Sequence, residues 1–207
     1  MSRAFCYQCY RAKVACLCGR IEKQQNQIKT IVLQHPAEAK NAKASAIIAE
    51  LGLEQYECWV GEDFSQHKEL KRLIGAEAEY IVVLYPARSS AVLDEQWVRQ
   101  CGEVRYMIVI DATWRKAKKI WELNADLHRL TALRLAGGKE SNYRIRKEPE
   151  KGYLSTVEGI VEGLRMLEGK PEGYQSLLAL FNEMIEYQIE KTGEAVWKEN
   201  YVKKPGR

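Results

Sequence analysis

Asp111, Thr113 and Trp114 close the apolar run YMIVI and open the basic segment RKAKK. An acid, a hydroxyl and an aromatic ring at one junction could take up a proton, orient a ligand and stack on a base. Ligands of α/β proteins bind outside the carboxyl ends of strands, and the tetrapeptide DATW stands at such an end. The acid follows a run of apolar residues, which holds it at a sheet edge. Helix capping is the competing explanation, because Asp and Thr accept hydrogen bonds from the free N–H groups of a first helical turn. Trp114 could likewise only pack on the sheet. Beyond the junction lie Arg115, Lys116, Lys118 and Lys119, a basic cluster suited to a phosphate backbone.

A second constellation is C-x2-C-x6-C-x-C, formed by Cys6, Cys9, Cys16 and Cys18. Two close pairs on a short chain can fold four thiolates around one tetrahedral zinc ion at about 2.3 Å. In a reducing compartment such a cluster favours a metal over two disulfides. Free thiols in an unstructured tail are the plainer alternative, and the paired spacing weighs against it. The last spacing, C-x-C, is tighter than the common C-x2-C. With all four positions filled by protein, the metal is expected to be structural. Cys58 and Cys101 stand alone in apolar surroundings and read as small core residues.

Three more segments put polar groups after strands or before helices. LQHPAE carries His35 and Glu38, LYPARSS carries Tyr85, Pro86, Arg88 and Ser89, and YRIRKEP carries Tyr143, Arg144 and Arg146. Ser155-Thr156-Val157-Glu158 has the S-x-x-E form of a capping box, which alone would account for Ser155 and Glu158. His35 could be a satisfied histidine beside a proline, and the two arginines a solvated face.

The elements that must position these residues follow from the apolar pattern. Continuous apolar runs at 80–86 and 106–110 read as buried strands, 30–34 as a β-rich run ending at His35-Pro36, and 56–61 and 130–138 as further strands. Helical spacing covers 39–53, 90–102, 114–123, 155–169 and 172–193. Strands alternating with helices give an α/β fold with a mostly parallel sheet and flanking helices. The composition shift predicts a cysteine-rich zinc knuckle over residues 1–25 and one α/β domain over residues 26–207. The 207 residues carry a net charge of +4, which permits a nucleic-acid partner without requiring one. No apolar run nears the roughly 20 residues of a membrane span, and the N-terminus lacks a secretory pattern, so a cytoplasmic protein is expected.

The cysteine knuckle, LQHPAE, LYP, DATWRKAKK, YRIRKEP and LSTVEG occur in this order along nearly the whole chain. In that ordered set the sequence resembles the DTW-domain family, whose characterised members are tRNA-uridine aminocarboxypropyltransferases. Gly159 stands where the family often has alanine. The resemblance implies a SPOUT-like fold with a knotted C-terminal segment. It implies transfer of the 3-amino-3-carboxypropyl arm of S-adenosylmethionine to the ring nitrogen of a uridine in tRNA, giving acp3U and releasing methylthioadenosine. No membrane and no stable protein partner are implied.

On that basis Asp111 is the expected general base or the ligand of the donor's amino group. Thr113 would orient it, and Trp114 would stack on uracil or adenine. Leu84, Tyr85, Pro86, Leu133 and Leu135 would wall off the donor's methyl, with Ser155 and Glu158 near its ribose or arm. His35, Arg115, Lys118, Lys119, Arg144 and Arg146 are the expected substrate-binding residues. Two rival readings are an RNA methyltransferase using the same donor and a zinc-knuckle RNA-binding module without chemistry.

Overall fold

β-branched and aliphatic runs with no polar interruption have no face to offer water, so they pair with one another between layers of helix. The computed structural model of the chain describes residues 4–137, 141–145 and 154–202. At the N-terminus, β1 (Phe5–Cys6) and β2 (Arg11–Ala12) form a small antiparallel hairpin. The main body follows as β3 (Lys29–Gln34), α1 (Ala46–Gly52), β4 (Tyr56–Val60), α2 (Lys68–Glu77), β5 (Ile81–Leu84), β6 (Ala91–Leu93) and α3 (Glu95–Gln100). It continues with β7 (Tyr106–Asp111), α4 (Trp114–Leu123), β8 (Thr131–Leu135), α5 (Thr156–Leu167), α6 (Gln175–Thr192) and α7 (Glu194–Trp197).

Six strands make one sheet in the order β4-β3-β7-β5-β8-β6, and every pairing is parallel. Register pairs Gln34 with Asp111 and Leu84 with Val109, so the carboxyl ends of β3, β7 and β5 come together. Alternation along the strands then sorts the core. Val32, Met107, Val109 and Leu133 face a layer that includes α1, α5 and α6. Ile31, Leu33, Val83 and Ile108 face Leu70 and Ile74 of α2 and Ile120 of α4. Asp111, in step with Met107 and Val109, belongs to the α5 side.

Helix α5 seats closely on the sheet because of Gly163. A Cβ there would fall 2.6 Å from Met107 Sδ and 3.3 Å from Leu84 Cδ2. This close approach lets the start of α5 reach the end of β7.

Three elements differ from their sequence expectations. The helix expected over 39–53 forms only from Ala46, and turns precede it. There the Asn41 side chain takes the Lys43 N–H and donates to Glu38, offering the backbone an alternative to the helix. The helix expected over 90–102 splits: Ala91–Leu93 pairs with β8 as an edge strand, and Asp94 caps a new helix by accepting from Trp97 N–H. Helix α2 forms where the apolar pattern marks none: Leu70 and Ile74 are its buried positions and Leu73 is partly buried, within a polar segment. Among the described residues, no helix is long and apolar enough to cross a membrane.

Candidate active site

Asp111 is the last residue of β7 and is 2% exposed. Its Oδ2 accepts from Gln34 Nε2 at 2.8 Å, and its Oδ1 accepts from Thr156 Oγ1 at 2.5 Å. The carboxylate is therefore a three-element junction of β3, β7 and α5. A buried carboxylate needs such donors, since an unpaired one would be costly to desolvate. The Gln34 amide is oriented by this contact: its nitrogen faces Asp111, and its oxygen lies 3.8 Å from Cys58 Sγ. Helix capping does not account for the junction. Thr113 occupies the N-cap of α4, yet its side chain makes no capping hydrogen bond. Trp114, the next residue, keeps 39% of its surface exposed at the same edge.

Gln34 and Thr156 were not singled out in the sequence. Thr156 sits inside LSTVEG, but its hydroxyl gains meaning only when α5 folds over β7. Gln34 carried one available signal, a polar residue ending an apolar strand directly before His35.

His35 lies beside the junction, its N–H bonded to the Asp111 carbonyl at 3.0 Å. Its Nδ1 accepts from Ala37 N–H, so Nε2 carries the proton and donates to Glu62 at 2.5 Å. Glu62 also accepts from Lys119 Nζ of α4 at 2.6 Å. Lys119 and then His35 hold the Glu62 carboxyl below its ordinary range. One acid thus fixes two of the expected substrate-binding residues. Arg115 and Lys118 are exposed on α4, and Lys118 pairs with Glu122 one turn on.

The residues expected to wall the donor divide between the two faces of the sheet. Leu84, Leu133 and Leu135 belong to the α5 side, where Leu133 is wholly buried. Tyr85 belongs to the other side and stacks on Trp121 with ring centroids 4.8 Å apart. Pro86 is exposed beyond the strand. Alternation makes this division unavoidable for neighbours in a strand-end tripeptide.

Ser155 and Glu158 form a full capping box on α5. Glu158 does more than cap. Its carboxylate also accepts from Ser141 Oγ and Asn142 N–H, tying the segment before α5 to the helix start. Arg144 pairs with Glu186 of α6 and with the Asn142 side chain, while its carbonyl receives Trp197 Nε1. Arg146 lies outside the described residues.

In the knuckle, Cys6 and Cys18 sulfurs are 3.8 Å apart and Cys9 and Cys16 sulfurs 3.7 Å apart. All four lie within 4.8 Å of one another and could hold a metal ion. A tetrahedron with sulfur ligands at about 2.3 Å has edges of roughly 3.8 Å, so the donor set fits. Left-handed residues, Tyr10 and Gly19, follow Cys9 and Cys18 and turn each pair inward. Backbone N–H groups of Cys9 and Gln8 draw the Cys6 thiol down to about 6. Arg11, 3% exposed, donates to the carbonyls of Cys9 and Ala44 and reaches Met184 of α6. It locks the knuckle to the main body, and Leu17 adds the knuckle's own side chain to the core.

A family model for the DTW domain matches residues 3–189. Over 97% of its length the chain is 32% identical to tRNA-uridine aminocarboxypropyltransferase 2 of Drosophila melanogaster, covering 83% of that protein. It is 26% identical to the proteins of the same name from Macaca fascicularis and Mus musculus, over 99% of the chain and 70% of each relative. No solved structure matches. The cysteine cluster, the DATW edge and the Ser155–Glu158 helix start all lie within the matched span, and the chain belongs to the DTW-domain family.

Proposed function

We propose that this chain transfers the 3-amino-3-carboxypropyl group of S-adenosylmethionine to a uridine ring nitrogen in tRNA. The observation that carries this reading is the end-to-end similarity to tRNA-uridine aminocarboxypropyltransferase 2. The convergence of Gln34, Asp111 and Thr156 at one sheet edge supports it.

The uridine ring nitrogen gives up its proton to solvent water and attacks the arm's carbon next to the sulfonium. That carbon–sulfur bond breaks, its electron pair stays on sulfur, and methylthioadenosine departs. The donor carries its own leaving group. What remains for the protein is to choose which of three carbons faces the nucleophile, a matter of positioning. We assign Asp111 the positioning role, as the anchor of the donor's ammonium end. Both its oxygens already serve protein donors and the group is nearly sealed from solvent, so a nucleobase would reach it poorly as a general base. An ammonium is a pure donor, and a carboxylate oxygen accepts from more than one donor at a time. Thr113 and Trp114 follow this anchor at the same strand end, and Trp114, 39% exposed, is assigned to stack on a base. Leu84 and Leu135 on the α5 side line the donor's methyl. Arg115, Lys118, Lys119 and Arg144 face tRNA phosphates, and His35, buried at 7% exposure, acts through Glu62, which it shares with Lys119.

The strand order, with β7 inserted between β3 and β5, is in keeping with a SPOUT-like fold. The segment that would carry a knot includes residues 138–140 and 146–153, which lie outside those described. Four convergent thiols support structural zinc in the knuckle, where Cys6, Cys9, Cys16 and Cys18 would hold it and it would supply a rigid fold.

Nucleoside mass spectrometry of tRNA incubated with the protein and donor tests the reading. A uridine heavier by about 101 Da is expected. A gain of about 14 Da would instead mean methyl transfer, the outcome if the site presents the other carbon.

A further inference from the structure

A cleft of about 320 Å³ opens between the cysteine knuckle and α6, separate from the DATW edge. The volume is at the lower end of small-ligand sites and is of the order of a single nucleotide. Its charge is one-sided. Arg11, Arg20, Lys43 and Lys191 line it, and no carboxylate does, although the chain has 28 acids. The four cations come from three separate parts of the chain, the knuckle, the segment before α1 and the end of α6, so no run of basic sequence explains their meeting. Arg11 is buried beneath as a fixed charge, whereas Arg20, Lys43 and Lys191 are exposed.

Two of the cations have acidic partners on α6: Arg20 pairs with Glu183 and Lys191 with Glu190. Both pairs are solvent-exposed and contribute little, so phosphate oxygens can replace them. Lys43 Nζ meets only a neutral partner among the described residues, the Tyr201 hydroxyl at 3.3 Å. The remaining lining includes Leu17, Met184 and Tyr187. Cations above an apolar and aromatic floor suit a nucleotide, with its phosphate on the lysines and its base on the floor.

A relay of buried contacts ties the cleft to the active edge. Arg11 holds the Ala44 carbonyl, Ser45 next to it accepts from Val157 N–H, and Thr156 before that binds Asp111. The cleft is thereby held in a fixed relation to the edge where a target uridine would be modified.

We propose that this cleft binds one nucleotide of the tRNA backbone and so fixes the tRNA relative to the DATW edge. The inference rests on the tRNA reading given above. Its test is the affinity of the full-length protein for tRNA across a salt series, with donor affinity measured alongside. Lys43→Ala with Lys191→Ala should weaken tRNA binding about tenfold and flatten the log-affinity against log-salt slope by roughly one unit. Arginine at both positions should restore it. Ala42→Phe, which fills the cleft without altering charge, should also weaken tRNA and leave donor affinity unchanged. Unchanged tRNA affinity in both variants overturns the proposal, as does a loss confined to the donor. Formation of acp3U by the unsubstituted protein is scored separately, so a failure of this site and a failure of the transferase reading are distinct results.

Discussion

Thr156 Oγ1 donates to Asp111 Oδ1 across 2.5 Å, joining the first turn of α5 to the final residue of β7. The two residues are 45 positions apart, and the bond exists because Gly163 lets α5 lie close on Met107 and Leu84. It turns the DATW acid from a helix-end group into the centre of an internal junction.

Replacing Thr156 by Val keeps the shape and deletes the donor. The buried carboxylate keeps Gln34 but loses this donor to Oδ1, which costs about 1–3 kcal/mol. Denaturant melts should show that loss, and acp3U formation should fall at least tenfold. Thr156→Ser should recover most of both, because it restores the hydroxyl.

Asp111→Asn separates two roles for the acid. As an anchor for the donor's ammonium, its loss should raise the dissociation constant for S-adenosylmethionine tenfold or more. The dissociation constant for tRNA should stay within about twofold, since the residue is sealed from the surface. A fall in kcat with donor affinity intact, read by calorimetry and single-turnover assays, would restore the general-base role.

Glu62 gives a pH dependence. Lys119 and His35 hold its carboxyl below the ordinary 4.5 in the folded protein. A lowered carboxylate adds stability that is present above its unfolded value and lost as pH falls through the folded one. The melting temperature of the protein should therefore exceed that of Glu62→Gln by a constant margin above pH 4.5, and the margin should close below it. The same substitution should loosen His35, visible as an altered ring signal in NMR at neutral pH.

Metal removal should act on the whole fold. The knuckle contributes Leu17 to the core and Arg11 to the Ala44 carbonyl, so unfolding it exposes both. A chelator should lower the melting temperature and release one equivalent of zinc per chain, as should Cys18→Ser to a similar extent. Calorimetry with elemental analysis checks this.

Exposed cations of α4 should set salt dependence without setting sequence preference. Lys118→Glu should weaken binding of all tRNAs alike and reduce the salt slope, as phosphate contacts do. Filter binding at several salt concentrations reads both.

Much of the scaffold was legible in the chain, and the reasons differ by element. YMIVI leaves no face for water, so it had to be a buried strand, and TIVLQ is a β-rich run ending at His35-Pro36. The paired cysteines carried their own geometry, because ligands two residues apart cannot be far apart in space. The edge strand Ala91–Leu93 was not legible: three residues give no period, and only pairing with β8 makes them a strand. The polar surface of α2 hid its short apolar stripe in the same way.

By itself the sequence determined that an acid would stand at the end of a buried strand, before a basic helix, and that four thiols would meet near the N-terminus. These are local facts, set by side-chain polarity and spacing along a few residues. Tertiary structure alone decided what the acid touches. Gln34 and Thr156 reach Asp111 through strand register and the close seating of α5, and Arg11, Arg20, Lys43 and Lys191 meet around one cleft through the docking of the knuckle on α6. Such contacts depend on non-local packing, which a hydrogen bond of about 3 Å samples and a sequence pattern does not.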